Sequence, residues 1–302
     1  PTGAVNVGID DSGRFKGGVN FGSRTGTGIL TIGGNYYAII NSLGAAGSTT
    51  GTDLQGISGS ASGRFALGAD IDASATSSWN SGAGFLPIGD SNRLFSGQME
   101  GLGHTISGLT INRPTTDYVG LFSRTASSTA VRNIGLASVN ITGKDSTGAL
   151  AGISIGPVYN GYATGVVTGS SSVGGLIGQS SASYAKNIHA DVAVTGTGVT
   201  GSTGGLIGQM TGTVSDAYAT GAVTGTESVG GLFGYFGGAA TDVFATGNVT
   251  GSNTYVGGLY GQGAATSTAT NAYATGNVAS SYAGVVYAGG LGGYARKTAS
   301  FT

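Results

Sequence analysis

The chain has 302 residues, with 62 Gly, 4 Pro, no Cys, 8% charged residues and a formal net charge of −1. Charges so few and so scattered exclude nucleic acid and anionic membrane as partners, since both need clustered Lys and Arg; only Arg296 and Lys297 are adjacent. Low charge with ordinary hydrophobicity excludes intrinsic disorder, Gly without a three-residue period excludes collagen, and no apolar run reaches the roughly 18 residues of a membrane span.

Residues 1–43 read as an N-terminal β segment that ends a preceding module. Val5, Val7 and Ile9, then Val19 and Phe21, then Ile29 to Ile32 form short apolar bursts between Gly-rich turns, and Tyr36 to Leu43 forms a strand leading out. The chain opens on Pro1 without a signal peptide, so it reads as a processed piece of something longer. Residues 44–112 are the lead-in coils. Gly44 to Thr52 is a flexible tract, and Thr52 is placed to cap one helical turn over Asp53 to Ile57. From Arg64 the apolar bursts are four to eight residues long (Phe65 to Ile71, Phe85 to Ile88, Phe95 to Met99, His104 to Ile111), and each is bounded by Gly, Asn, Asp or Ser. Helical spacing is nowhere sustained, so the class is all-β.

Residues 113–302 repeat. DAYATGAVTGTESVGGLFG at Asp216 returns as DVFATGNVTGSNTYVGGLYG at Asp242 and as NAYATGNVASSYAGVVYAGGLGG at Asn271. Upstream copies begin at Asn160 and Asn187. The Leu of the GGL core falls at Leu176, Leu206, Leu232, Leu259 and Leu291, in steps of 30, 26, 27 and 32. A period of about 27 residues is a stack of coils, each supplying three short strands that pair with their copies one coil away at about 4.8 Å. The expected fold is a parallel β-helix (solenoid).

Superposing the copies exposes three columns. An Asn/Asp slot at a turn holds Asn133, Asn160, Asn187, Asp216, Asp242 and Asn271. Two residues on stand Gly135, Tyr162, His189, Tyr218, Phe244 and Tyr273, and a corner slot holds Ile141, Val167, Val194, Val223, Val249 and Val278. Ile134 and Leu136 flank Gly135, so strand alternation turns that slot outward, with Ala217 and Ala219 inward. Tyr162, His189, Tyr218, Phe244 and Tyr273 therefore form a partly exposed aromatic column, a candidate surface for a glycan, a host-surface protein or a neighbouring fibre. The Asn/Asp column is a structural ladder.

The GGLxG core with its YATGxVTG partner resembles the GLUG repeat of large secreted bacterial proteins. The run from Ile40 (INSLGAAGSTTGTDLQGI) through RFALGADIDAS at Arg64 to GLGHTISGLTINRP at Gly101 looks like the segment that precedes such repeats in filamentous-haemagglutinin-like exoproteins. The resemblance covers about residues 36–294. It implies a right-handed β-helical rod, a passenger of two-partner secretion, exported to the outer surface of a Gram-negative bacterium or beyond, with adhesion as its work. The secretion domain of that family, with its Asn-Pro-Asn-type motifs, is absent from this chain.

Chemistry is sparse. Asp70 and Asp72 share GADID, and Asp90 and Glu100 lie on nearby coils; a glycosidase needs two carboxylates about 5–10 Å apart. His104 in GLGHT resembles a Gly-His motif of polygalacturonases, but the paired Asp motifs are missing, and it reads as a structural His at a core edge. Two distant His without Cys make no zinc site, and no calcium nonapeptide or phosphate loop occurs. No metal, cofactor or catalytic residue is expected. Two sequons, Asn140-Ile-Thr142 and Asn248-Val-Thr250, arise easily in a Thr-rich chain. The favoured reading is a non-catalytic adhesin rod. The alternatives are a polysaccharide-degrading β-helix, a spacer beside a catalytic domain, and an ice-binding solenoid using Thr164, Thr220, Thr246 and Thr275 with Thr168, Thr224 and Thr250.

Overall fold

The computed structural model describes residues 5–7, 19–22, 26–90, 92–182, 184–295 and 300–301. Ile9 and the Arg296–Lys297 pair fall outside them. The chain is all-β and winds into a β-solenoid of about nine turns. The short apolar bursts become strands because each has one residue type to bury and another to expose. Their backbone groups then pair between coils rather than within one.

Three parallel sheets make the walls. One carries the long strands Ala130–Thr142, Val158–Gly169 and Ala185–Gly196. Higher up, each long strand divides in two, as in Thr213–Ala219 with Val223–Gly225 and in Ala239–Ala245 with Val249–Gly251. The second wall stacks six short strands from Asp145–Thr147 to Tyr287–Gly289, and the third stacks seven from Phe122–Arg124 to Gly292–Ala295. Register is strict, with Val167 over Val194, Val194 over Val223 and Val223 over Val249.

The long wall bends at the Asn/Asp slot. Asn133, Asn160, Asn187, Asp216, Asp242 and Asn271 all have φ between 51° and 55°. Asn and Asp tolerate this left-handed conformation better than other residues with a Cβ.

Inside, Leu176, Leu206, Leu232 and Leu259 are fully buried, as are Ile134 and Leu136, and Ala217 and Ala219 face in. Leu291, in the last coil, packs only partly against this core.

At the N-terminal end, Gly26–Ile32 and Asn35–Ile40 form an antiparallel hairpin, turning on Gly33 and Gly34 at φ 53° and 80°. Asn35–Ile40 also pairs in parallel with Arg64–Leu67, so the hairpin shares a sheet with the solenoid. From Tyr37 on, this strand is buried on both faces. Ala38 and Ile40 enter the main core, while Tyr37 and Ile39 join Phe21, Leu30, Ala66 and Leu102 in a second, smaller one.

The helical turn expected after Thr52 is a 3-10 helix over Gln55–Ser60. Its cap differs from the expectation: Asp53, not Thr52, accepts the Gly56 N–H at 2.7 Å, and the Ser48 and Thr50 hydroxyls donate to the other carboxylate oxygen. A carboxylate has the acceptor capacity for three donors, which a hydroxyl lacks. A second 3-10 stretch, Ser74–Gly82, carries Trp79 onto Phe85 at 6.5 Å.

Candidate functional site

The outward slot is a continuous column. Centroids of Tyr162, His189, Tyr218, Phe244 and Tyr273 follow one another at 5.3, 4.6, 4.8 and 5.0 Å, with interplanar angles of 8°, 8°, 2° and 4°. In-register parallel pairing sets that spacing.

His189 continues the stack. Burial between Tyr162 and Tyr218 lowers its pKa, opposed by the Asp191 carboxylate, so the ring is held neutral.

At the foot, a Cβ on Gly135 would stand 2.4 Å from Tyr162 Cζ. The missing side chain is the space Tyr162 leans into, and its hydroxyl meets Thr105 Oγ1 at 3.0 Å. At the other end Tyr273 is 51% exposed. Because the rings stack along the rod, their faces are spent on each other. Solvent meets ring edges and Tyr hydroxyls.

Beside the column runs the amide ladder. Asn187 Nδ2 donates to Asn160 Oδ1 (2.7 Å), Asn160 Nδ2 to Asn133 Oδ1 (2.8 Å) and Asn133 Nδ2 to Glu100 Oε1 (2.8 Å). All donors point one way, so the chain needs an acceptor at its foot, and Glu100 Oε1 supplies it. The ladder breaks at Asp216, which lies 3.6 Å from the Lys186 ammonium, and resumes where Asn271 donates to Asp242 at 2.9 Å.

Glu100 is 2% exposed and also accepts the Leu102 N–H at 2.9 Å. Desolvation raises its pKa above the usual carboxylate range, against the lowering by Asn133, Leu102 and Arg132. A raised folded-state pKa means the folded protein binds that proton more tightly. The contribution is therefore full at low pH and is lost as pH rises through the folded pKa. Glu100→Gln keeps the acceptor and removes the buried charge. It is expected to raise the thermal midpoint at pH 7, with the gain vanishing below about pH 4. A lower midpoint at pH 7, followed by circular dichroism, would mean that Arg132 fully compensates an ionised Glu100.

The candidate catalytic groups are otherwise engaged. His104 is buried, with Nδ1 3.1 Å from Asp70 Oδ1 and Nε2 3.0 Å from the Val19 carbonyl, so both ring nitrogens are taken. Asp70 accepts the Thr105 N–H and Asp72 the Ser74 N–H, each at 2.9 Å, and these bonds are the main cause of their lowered pKa values. The Asp70–His104 pair ties two successive coils together, and the His104 contact with Val19 ties the N-terminal segment to them.

The first Thr column is interrupted where Thr164 pairs with Asp191; the second runs Thr142, Thr168, Thr195, Thr224 and Thr250. Sequence reasoning missed a tyrosine cluster in which Tyr255, Tyr287 and Tyr294 stand 5.2 to 5.6 Å apart. Its signal was there: in the slot two residues before the GG, Ser202 and Ser228 give way to Tyr255 and Tyr287.

No family model matches the chain. It is 44% identical over 121 residues to halomucin of Haloquadratum walsbyi, a match covering 37% of this chain and 1% of that protein. It is 37% identical over 99 residues to a candidate Gly-rich membrane protein of Evansella cellulosilytica, covering 32% of this chain and 11% of that protein. The chain thus spans a small fraction of the curated relatives it matches. A crystal structure of a candidate immunoglobulin A1 protease from Bacteroides ovatus superposes with a TM-score of 0.55 at 21% identity, covering 77% of each chain. That likeness concerns the fold. Neither relative's name addresses GLUG repeats or two-partner secretion.

Proposed function

We propose that this chain is a non-catalytic stretch of a surface-displayed rod whose aromatic column docks a neutral partner, a glycan or a neighbouring rod. The observation that carries the reading is the five-ring column itself, which presents a straight strip of edges and hydroxyls on a nearly uncharged wall. A rod of repeating coils serves to span distance, and the wall that carries the column offers area. Surface display is supported by the relatives' names, a mucin and a membrane protein. Among the described residues no helix is long and apolar enough to cross a membrane. The absence of catalysis is supported by the engaged nitrogens of His104.

Tyr218→Ser combined with Phe244→Ser tests the strip. The inward Ala217, Ala219, Val243 and Ala245 stay in place, so the circular dichroism spectrum is expected to persist, with stability reduced by about 0.5–1.5 kcal/mol for each ring pair lost. Binding to immobilised neutral glycans or to a second copy should be lost. In the parent chain it should be nearly insensitive to salt. A double variant that binds as the parent does removes the column from the function.

A further inference from the structure

Non-repeating chain gathers beside the first coils of the repeat. The loops 86–90 and 113–118, with Ser123 on the third wall, enclose a cavity of about 290 Å³. We propose that this cavity is a binding pocket for one neutral sugar ring of hexose size. The proposal does not rest on the aromatic column.

The walls are pre-formed. Gln55, 1% exposed, grips the first loop with both ends of its amide: Nε2 donates to the Leu86 carbonyl and Oε1 accepts the Leu86 N–H, each at 3.0 Å. Asp90 Oδ1 accepts the N–H groups of Asn92 and Arg93, each at 2.7 Å. The second loop is pinned by the Arg113 N–H to the Thr142 carbonyl (2.8 Å) and the Tyr118 N–H to the Asp145 carbonyl (2.7 Å). Loops tied down in this way lose little further freedom when a ligand enters.

The lining chemistry selects the ligand. Arg113 donates Nε to the Phe85 carbonyl at 3.3 Å, and no ion pair reaches it among the described residues. Partial burial lowers its pKa, so a ligand oxygen that restores lost hydrogen bonds there is favoured. Asp90 and Asp117 supply acceptors, and the Lys144 ammonium 3.2 Å from Asp117 offsets one of the two charges. Ser123 is 4% exposed and its buried Oγ has no hydrogen-bond partner among the described residues, a state that buried hydroxyls rarely keep unless a water or ligand completes them. Leu86, 45% exposed, and the Tyr118 ring add apolar area.

A sugar hydroxyl both donates and accepts, and neighbouring hydroxyls on a ring match a guanidinium and a carboxylate side by side. An anionic ligand would face two carboxylates, and a cationic one would face Arg113. The volume equals roughly ten waters, which is room for one sugar ring.

The test is saturation-transfer NMR of the full chain with the methyl glycosides of glucose, galactose, mannose and N-acetylglucosamine, with glucuronate and glucosamine alongside. At least one neutral glycoside is expected to bind. Arg113→Gln and Asp117→Asn should each weaken it roughly ten- to a hundredfold, while Tyr218→Ser with Phe244→Ser leaves it unchanged. Leu86→Ala, a rim side chain whose backbone stays braced by Gln55, should also weaken it and serves if the charged variants fail to fold. The proposal is overturned if no neutral glycoside binds, if only glucuronate or glucosamine binds, or if binding survives these substitutions in folded protein.

Discussion

Leu232→Ala is expected to cost the rod about 2–5 kcal/mol, the range for emptying a leucine site in a closed core. Leu232 is fully buried between Leu206 and Leu259, which are themselves fully buried. Its backbone is fixed from both sides: its N–H donates to the Leu259 carbonyl at 2.8 Å, and its carbonyl accepts from Leu206 and Ile207 at 3.0 and 3.1 Å. The coils above and below therefore cannot slide in to fill the space, and the cavity term stays near its full size. In a stack where each coil touches only its neighbours, the damage is local and weakens the two interfaces beside that coil. Urea unfolding by circular dichroism would show a lower midpoint. A loss below about 0.5 kcal/mol would mean that the interior relaxes around the missing side chain.

The interior was legible because it repeats. Superposing copies places Leu176, Leu206, Leu232 and Leu259 in one column, and alternation about Gly135 turns Tyr162 and Tyr218 outward. Both follow from pairing at one register. The ring spacing was legible for the same reason, but the ring orientation was not. Alternation says which side a residue faces, and only the rotamers show that the faces are spent on each other.

Where the chain does not repeat, the sequence was mute. Asp70 and His104 are 34 residues apart and meet only because an irregular lead-in coil has that length. Glu100 looked like one scattered acid, since nothing local announces that its strand, Gln98–Glu100, lies beneath Asn133. The loops 86–90 and 113–118 have no periodic partner, and their meeting depends on turns that no copy repeats.

Gly231→Ala is expected to be among the most damaging single changes in the chain, while Gly161→Ala is expected to be harmless or helpful. At Gly231 an added Cβ would lie 2.1 Å from the Gly258 carbonyl oxygen and 2.9 Å from Ala245 Cβ. At its neighbour Gly230 it would lie 2.1 Å from the Phe233 oxygen, and at Gly234 2.4 Å from the Thr203 nitrogen. Apart from Ala245 Cβ these are backbone atoms of the same or adjacent coils, and no rotamer change relieves any of them. The GGLxG signature is thus a steric requirement for turning tightly within one coil height. Overpacking of this kind costs about 1–3 kcal/mol or more, and here the coil would have to separate from its neighbour. Gly161 occupies the inward slot otherwise held by Ile134, Ile188 and Ala217, and the nearest atom to its added Cβ is Val158 Cγ1 at 3.5 Å, an ordinary contact. Alanine there restricts the unfolded chain and fills interior space, for a gain of about 0.4–1 kcal/mol. Thermal midpoints should move in opposite directions for the two variants. Equal shifts would show that glycine serves the GGLxG core by backbone freedom rather than by close approach of the coils.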